Sequence, residues 1–196
     1  MKISILNRVK LLSMTSLLAC SAYTYANKMA PIVDDFSHPN NNSLGIKRQF
    51  LDDKVAGGNS QATIKVIDGK LHISGEIEPP RGQPGWASSV LLLNPEGLPQ
   101  DVSKFSGIRL LIKLHSGNIS ISANSTDISN FDYHSAMLMV QADGKFHEIK
   151  IPFDSMKRTW SEQTKLNTTT INSLSIVAFG MQKTPFEYQL DEVGFY

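Results

Sequence analysis

The five histidines of the chain are scattered, and their spacing predicts neither a metal site nor a catalytic dyad. Zinc sites need histidine or cysteine ligands at short, fixed spacing, such as His-x-His or HExxH, and neither pattern occurs. The Gly-x-Ser-x-Gly turn that presents a serine nucleophile is also missing. Because spacing brings no nucleophile, base and orienting group together, we interpret the chain as non-catalytic. The histidines are His38, His72, His115, His134 and His147.

Aromatic and polar residues in three segments favour ligand binding instead of catalysis. Carbohydrate sites combine an exposed ring, which stacks on a sugar, with nearby acids and amides that bind the hydroxyl groups. For each tryptophan the alternative is burial as cover for the core, and for the two aspartates it is an Asx turn. The candidates are Trp86, Asp127, Asp132, Tyr133, His134 and Trp160.

Carboxylates near both ends of the expected domain suggest one cofactor, a structural calcium ion. Calcium takes oxygen ligands, and Asp35 (or its neighbour Asp34), Asp191 and backbone carbonyls would supply them if the first and last strands are adjacent. The alternative is that these are ordinary acids at strand ends. No other cofactor is expected.

The segment from Leu51 to Gln61 reads LDDKVAGGNSQ and predicts a tightly folded polar loop before the first long strand. Its paired glycines allow the sharp reversal that bulkier residues resist. The two adjacent acids would point to opposite sides of an extended chain, so we assign them to turn capping rather than to a pair that cleaves glycosides. The loop residues are Asp52, Asp53, Gly57, Gly58 and Ser60.

The N-terminus has the composition of a secretory signal over residues 1–26, followed by a tether at 27–31. Three basic residues accompany an apolar run, Leu11 to Ala19, that is too short to span a bilayer. Cys20 ends this run in LLACS and resembles a bacterial lipobox, so lipidation at Cys20 and cleavage after Ala26 both remain open; we favour cleavage. Either predicts an exported protein of the periplasm or cell envelope, free or lipid-anchored, without a disulfide.

Length and charge restrict the partner. At 196 residues the chain suits one domain, here residues 32–196. The formal charge is +1, and loss of Lys2, Arg8 and Lys10 with the signal leaves 16 bases against 18 acids. No basic stripe with interleaved aromatics remains, so nucleic acid is a poor candidate.

About ten short strands and no amphipathic helix predict an all-β jelly-roll sandwich of two antiparallel sheets. Two Asp-Gly pairs predict hairpins: Asp68-Gly69 between strands 63–67 and 70–77, and Asp143-Gly144 between strands 134–142 and 146–153. In a loose alternation with Leu44, Ile46 and Phe50, Arg48 falls on the polar side.

The order of segments resembles the complex I intermediate-associated protein family over Ile32 to Tyr196. The resemblance is carried by IVDDF, DDKVAGGNS, GWASSVLLL, FSGIRLLIKL and FHEIKIPFDSM. It implies a galactose-binding-like jelly roll, related in architecture to carbohydrate-binding modules, and mitochondrial members of the family assist assembly of respiratory complex I. The sequence departs from the family pattern at Lys54, Ala56, Trp86 and Ser125.

Two functions from different classes follow. The first is a non-catalytic binding module of the cell envelope, with a glycan as ligand. The second is an assembly or chaperone-like factor, with another envelope polypeptide as partner. Aromatic residues clustered on one polar surface would favour the first, and a flat apolar patch would favour the second.

Overall fold

The computed structural model describes residues 29–196, so the predicted signal peptide and Cys20 lie outside the described residues. Within the described residues, twelve strands form where about ten were expected, and two short 3-10 turns span Asp53–Ala56 and Phe153–Ser155. In chain order the strands are β1 (Ile32–Asp34), β2 (Gln49–Asp52), β3 (Gln61–Ile67), β4 (Lys70–Ile77), β5 (Gly85–Leu92), β6 (Gly107–Ser116), β7 (Asn118–Ser125), β8 (His134–Met137), β9 (His147–Pro152), β10 (Lys157–Arg158), β11 (Ile171–Gly180) and β12 (Thr184–Phe195).

The strands form two antiparallel sheets of six strands each, which confirms the predicted jelly-roll sandwich. The first sheet has the order β3-β4-β12-β6-β9, and β1 pairs with the far end of β12. The second has the order β10-β8-β7-β11-β5-β2. Many connections cross from one sheet to the other, as the jelly roll requires.

The core lies between the sheets and follows the alternation of the sequence. In β6, Ile108, Leu110 and Ile112 are fully buried, and Ile121 and Ile176 of the second sheet are buried with no exposure. Each such side chain contributes about 1.5–3 kcal/mol through removal of apolar surface from water. Residues 29–196 contain no cysteine and hence no disulfide, so packing carries the stability of the sandwich.

The first predicted hairpin is confirmed and the second is wrong. Asp68 and Gly69, both at positive φ, join β3 to β4, whose pairing closes at Ile67 and Lys70. Asp143-Gly144 instead lies in a connection between sheets, because β8 pairs with β7 and β10 while β9 pairs with β6. The Asp143 carboxylate holds that turn by accepting bonds from Lys145 N at 3.0 Å and His147 Nε2 at 2.8 Å.

The expected polar position of Arg48 is also wrong, since its side chain is buried beside Asp34. The Arg48 Nε and Nη2 atoms donate to the two Asp34 oxygens at 2.5 and 2.8 Å, and Nη1 donates to the His38 carbonyl. The guanidinium also lies 5.0 Å from the centre of the Phe36 ring. A charged side chain enters the interior here because a paired acid compensates for lost hydration.

No helix within residues 29–196 has the length and apolar character needed to cross a membrane.

Candidate functional site

The two sheets present very different outer surfaces. On the first sheet the outward side chains of β6, β9 and β12 include several charged residues that form ion pairs. Arg109 pairs with Glu148 at 3.4 Å and also with Glu192, and Lys150 lies 3.2 Å from Glu148. Such exposed ion pairs contribute little to stability and keep the surface hydrated. The first sheet therefore has a charged outer surface, unlike the second.

The outer surface of the second sheet is built largely from small hydroxyl and amide side chains, and we call it the serine face. Strand alternation directs one set of side chains in β5, β7 and β11 into the core and the other set outward. The outward set comprises Trp86, Ser88, Val90 and Leu92 in β5, Asn118, Ser120, Ser122 and Asn124 in β7, and Ser173, Ser175, Val177 and Phe179 in β11. Edge strands add Ser135, Met137, Lys157, Gln49 and Leu51.

The strand register places these side chains in rows across the sheet. The central row runs across all six strands in the order Lys157, Ser135, Ser122, Ser175, Val90 and Gln49. Beside this row, the Asn124 amide nitrogen donates to Ser173 Oγ at 3.0 Å and to Ser175 Oγ at 2.8 Å. Several hydroxyl groups are therefore oriented in advance by neighbouring side chains.

The accessible polar groups of the face surround a nearly buried centre. Ser122 is only 1% exposed and its Oγ has no hydrogen-bond partner within residues 29–196, whereas Ser88, Ser120 and Ser135 are partly exposed. Serine hydroxyls both donate and accept, as sugar hydroxyls do. The arrangement can exchange hydrogen bonds with a polyhydroxylated ligand without any charge being buried.

One corner of the serine face carries two aromatic rings. Trp86 of β5 lies directly opposite Phe179 of β11 in the register, and both residues are partly exposed. Residues directly opposite each other on adjacent strands are neighbours on the same face of the sheet, so the two rings lie side by side at this corner. Among the predicted site residues, Trp86 thus lies on the serine face.

The polar loop predicted around Gly57 and Gly58 holds this corner in place. Asp52 caps the 3-10 turn by accepting from Lys54 N at 3.2 Å, as expected for a turn-capping acid. Asp53 is instead fully buried, and its oxygens accept from Ser60 N, Ser60 Oγ and Trp86 N at 2.9, 2.6 and 3.1 Å. The loop therefore fixes the backbone of Trp86 from inside the protein.

The glycines of this segment leave room for the buried carboxylate. A Cβ atom at Gly58 would lie 2.2 Å from Asp53 Cγ, and one at Gly85 would lie 2.9 Å from Asp53 Oδ2. Real Cβ atoms do not approach other atoms so closely, so both positions need glycine. Gly57 meets a different requirement, because its φ of 84° ends the 3-10 turn in the left-handed region.

A second aromatic pair lies at the opposite corner of the serine face. The rings of Tyr133 and Trp160 meet edge to face with centroids 5.4 Å apart, and Trp160 is 58% exposed. Burial raises the pKa of the Tyr133 phenol above its ordinary value. Tyr133 directly precedes β8, in line with Asn124 of the neighbouring strand.

Asp132 anchors the two loops that carry this pair. Its carboxylate accepts from Arg158 Nε at 2.8 Å and from the backbone nitrogens of Thr159 and Ser161 at 3.1 Å. Burial by itself would raise the pKa of Asp132, but the bonds from Tyr133 N, Arg158, Ser161 and Thr159 outweigh it and hold the pKa far below its usual range. The predicted ligand residue Asp132 therefore serves as an internal anchor.

The remaining predicted site residues lie apart from the aromatic rings. His134 is buried, with Nε2 2.8 Å from the Thr164 carbonyl oxygen. Asp127 accepts from Asn167 Nδ2 at 2.7 Å in a neighbouring exposed loop. Direct contact of a ligand with Asp132 or His134 would require these loops to open, whereas Asp127 is accessible.

The two acids of the calcium hypothesis have separate protein partners. Asp35 accepts from the Ser37 and Ser43 hydroxyls at 2.7 and 2.9 Å, which lowers its pKa, and Asp191 lies 3.6 Å from Lys70 Nζ. Within residues 29–196 no three His, Cys, Asp or Glu side chains are grouped as a metal site would require. A calcium ion at Asp35 and Asp191 remains a prediction.

Sequence reasoning missed the serines that form most of the candidate surface. Their signal is present in NISISANS and INSLSIV, where a serine or asparagine alternates with an apolar residue. By itself, that alternation indicates only which side of each strand is buried. The polar side of two adjacent strands becomes a site only once the register is known.

Comparisons with known proteins agree on a family and an architecture. The family model described as complex I intermediate-associated protein 30 matches residues 35–190. A search of curated proteins found no significant match.

Solved structures with the same fold include carbohydrate-binding modules. The family 11 module of the cellulosomal cellulase Lic26A-Cel5E of Clostridium thermocellum is 18% identical, with a TM-score of 0.58, and the alignment covers 84% of this chain and 92% of that one. The family 11 module in complex with a β-1,3-1,4-mixed-linked tetrasaccharide is 17% identical, with a TM-score of 0.59 and coverage of 84% and 94%. The agarase AgWH50C is 13% identical, with a TM-score of 0.56 and coverage of 85% and 26%. At these identities the likeness shows the fold alone.

Proposed function

The chain belongs to the complex I intermediate-associated protein 30 family, and we propose that this member is a non-catalytic module that binds a glycan on the serine face. The observation that carries the proposal is the placement of two aromatic pairs, Trp86 with Phe179 and Tyr133 with Trp160, at opposite corners of a surface of hydroxyl and amide groups. Rings stack on the apolar faces of sugars, and the polar floor exchanges hydrogen bonds with their hydroxyls.

The chemistry of the face supports binding without bond cleavage. Glycoside hydrolysis needs two carboxyl groups about 5 to 10 Å apart across the scissile bond. The outward positions of β5, β7 and β11 carry no acid, and the nearby Asp132 is committed to Arg158. The module would therefore hold a chain in place, either for itself or for a partner.

Export to the cell envelope is part of the same proposal. It is supported by the basic residues and the short apolar run of residues 1–26, which are typical of a secretory signal. An exported protein would meet polysaccharide outside the cytoplasm. The mass of the protein isolated from envelope fractions tests this, because cleavage after Ala26, lipidation at Cys20 and an intact N-terminus give three different masses.

The proposal is tested by glycan binding to single alanine variants. Wild-type protein is expected to bind at least one polymer of a broad polysaccharide panel, measured by affinity electrophoresis and calorimetry. Trp86→Ala and Trp160→Ala should each weaken that binding by about 1–3 kcal/mol, since stacked rings dominate such contacts. The matched control is Phe146→Ala, which removes an aromatic ring that lies by Lys70 and Lys113 of the first sheet.

Phe146→Ala should leave affinity unchanged. Failure of the folded wild type to bind any polymer would reject glycan binding, and equal loss in all three variants would point to a general effect on folding.

A polypeptide partner is the second candidate, and exposed apolar side chains favour it. Phe131, Met139 and Met181 are 92%, 85% and 67% exposed. Single exposed apolar residues are common, but side chains of this size and exposure suit a protein contact. Replacement of Phe131 and Met139 by serine would separate the two functions, because it should spare glycan binding and abolish a polypeptide contact.

A further inference from the structure

Taking the glycan-binding function as its premise, we propose that the ligand of the serine face is an uncharged polysaccharide chain, and that chains bearing carboxylate or sulfate groups are rejected. The distribution of charge between the two faces carries this inference. On the first sheet, Arg109, Glu148, Lys150 and Glu192 crowd the outer surface. Among the outward strand positions of the serine face only Lys157 is charged, and it belongs to the two-residue edge strand β10.

Two pairs of oppositely charged residues lie at the edges of the face. Arg158, which follows Lys157, points to the other side and binds Asp132, with 9% and 0% side-chain exposure. Asp52, at the end of β2, lies 2.7 Å from Lys54 Nζ. These paired groups are not available to compensate for the charge of an incoming ligand.

The balance of hydration separates neutral from charged ligands at such a surface. A sugar hydroxyl that loses water can recover its hydrogen bonds from Ser88, Ser120 or Ser135, each of which is partly exposed and able to donate or accept. A carboxylate or sulfate that loses water recovers much less, because neutral hydroxyls compensate poorly for the hydration of an ion. The serine face therefore favours neutral over charged ligands, because a charged ligand loses more free energy of hydration when it binds.

The positions of the aromatic corners indicate a chain of several sugar rings. Tyr133 is in line with Asn124, whereas Trp86 and Phe179 are in line with Asn118, six residues further along the sheet. From β8 to β5 there are three strand spacings. With 3.3 Å per residue and about 4.8 Å per strand, the corners are separated by roughly 25 Å. A ligand that stacks at both corners must span that diagonal, which excludes a mono- or disaccharide.

The test compares polymers that share a backbone and differ in charge. The pairs are hydroxyethylcellulose with carboxymethylcellulose, laminarin with sulfated laminarin, and methyl-esterified with de-esterified polygalacturonate. The comparison applies to each pair of which the full-length mature protein binds at least one member. In such a pair we expect the neutral polymer to bind at least about tenfold more tightly, because unpaired charge at an interface lowers affinity by that order. Ser120→Lys adds a cation to the serine face and should narrow the ratio of the two affinities, whereas Lys113→Ala, which removes a cation beside Phe146 on the first sheet, should leave that ratio unchanged.

The outcomes separate this inference from the function on which it rests. Absence of binding to every polymer, charged or neutral, rejects both. Equal or tighter binding of a charged polymer that is lost in Trp86→Ala retains glycan binding and overturns neutral selectivity. For the backbone bound best, affinity should rise from the disaccharide to the hexasaccharide, and a disaccharide that binds as tightly as the polymer would overturn the spanning of both corners.

Discussion

Between residues 29 and 196 three carboxylates are buried, and each of them holds a segment of the chain in place through hydrogen bonds. Asp34 binds Arg48, Asp53 binds Ser60 and the backbone of Trp86, and Asp132 binds Arg158 with three backbone nitrogens. Two of these acids stand directly beside the aromatic corners. The geometry of the serine face thus depends on residues that need not touch the glycan.

The strongly lowered pKa of Asp132 predicts that part of the stability is sensitive to acid. A carboxyl group whose folded-state pKa is depressed contributes stability above its unfolded pKa of about 3.9, and that contribution is lost as pH falls toward the folded value. Asp132→Asn should therefore be less stable than wild type at pH 7. The difference should shrink as pH falls below about 4, as measured by urea unfolding.

Other carboxyl groups with lowered pKa values affect both proteins equally and cancel in this comparison; they include Asp35, Asp101 and Asp143. The matched control for Asp132→Asn is Asp101→Asn, because Asp101 caps an exposed turn by accepting a hydrogen bond from Ser103 N. A gap between wild type and Asp132→Asn that stays constant from about pH 7 to about pH 3 would contradict the assignment.

At the scale of elements, local patterns predicted pairs of strands only where the partners are neighbours in sequence. Asp68-Gly69 joins strands whose apolar residues face one core side, and the hairpin formed as expected. The same dipeptide at 143–144 joins strands that pair with β7 and β6, which lie in different sheets. A dipeptide specifies a turn, but distant strands determine which sheet each arm enters.

The candidate site was predictable in part for the same reason. Trp86, Tyr133 and Trp160 could be identified from residue type, since large rings in or beside polar loops are typical of binding surfaces. The serines of β7 and β11 could not, because a serine is informative only through its neighbours across the sheet. The anchoring role of Asp132 was missed because Arg158, its partner, is 26 residues away in sequence.

The structure of the loop that joins β2 to β3 predicts that Gly58→Ala destabilises the protein. The added methyl group would overlap the Asp53 carboxylate, which has no free space because it binds Ser60 and Trp86. We expect a loss of about 1–3 kcal/mol in the free energy of unfolding, as for other overpacked sites. Denaturant unfolding measures this, and the displaced Trp86 backbone should also weaken glycan binding.

Gly97→Ala provides the control for this substitution. Gly97 has a φ of 70°, and no atom lies within 4 Å of the place that an added methyl group would take, so alanine there meets backbone strain without overlap. If Gly58→Ala unfolds no more easily than wild type, the buried contact between Asp53 and the glycine loop is not needed for stability.

At the scale of the whole molecule, the outer face of the first sheet favours solubility, and the outer face of the second sheet suits ligand recognition. The ion pairs of the first sheet keep that side hydrated, which leaves the second sheet free to carry rings and neutral hydroxyls. Such a division requires the two sheets to be held in a fixed relation. Core packing supplies most of that constraint, and the pair of Asp34 and Arg48 adds a polar link between β1 of the first sheet and the start of β2 in the second.

This link predicts that Arg48→Met lowers the free energy of unfolding by an unusually large amount. The substitution removes both guanidinium donors from the buried Asp34 carboxylate and leaves it the bond from Phe36 N, at 2.9 Å. Breaking a buried pair from one side costs about 3–5 kcal/mol, whereas replacing both partners by neutral groups is far milder. Asp34→Asn combined with Arg48→Met should therefore recover much of the stability in urea unfolding.

The control is Lys183→Met, which breaks the exposed pairs of Lys183 with Glu76 and Glu78. It should lower the free energy of unfolding much less, because such exposed pairs contribute little. An equally small cost for Arg48→Met would show that packing alone holds the sheets together.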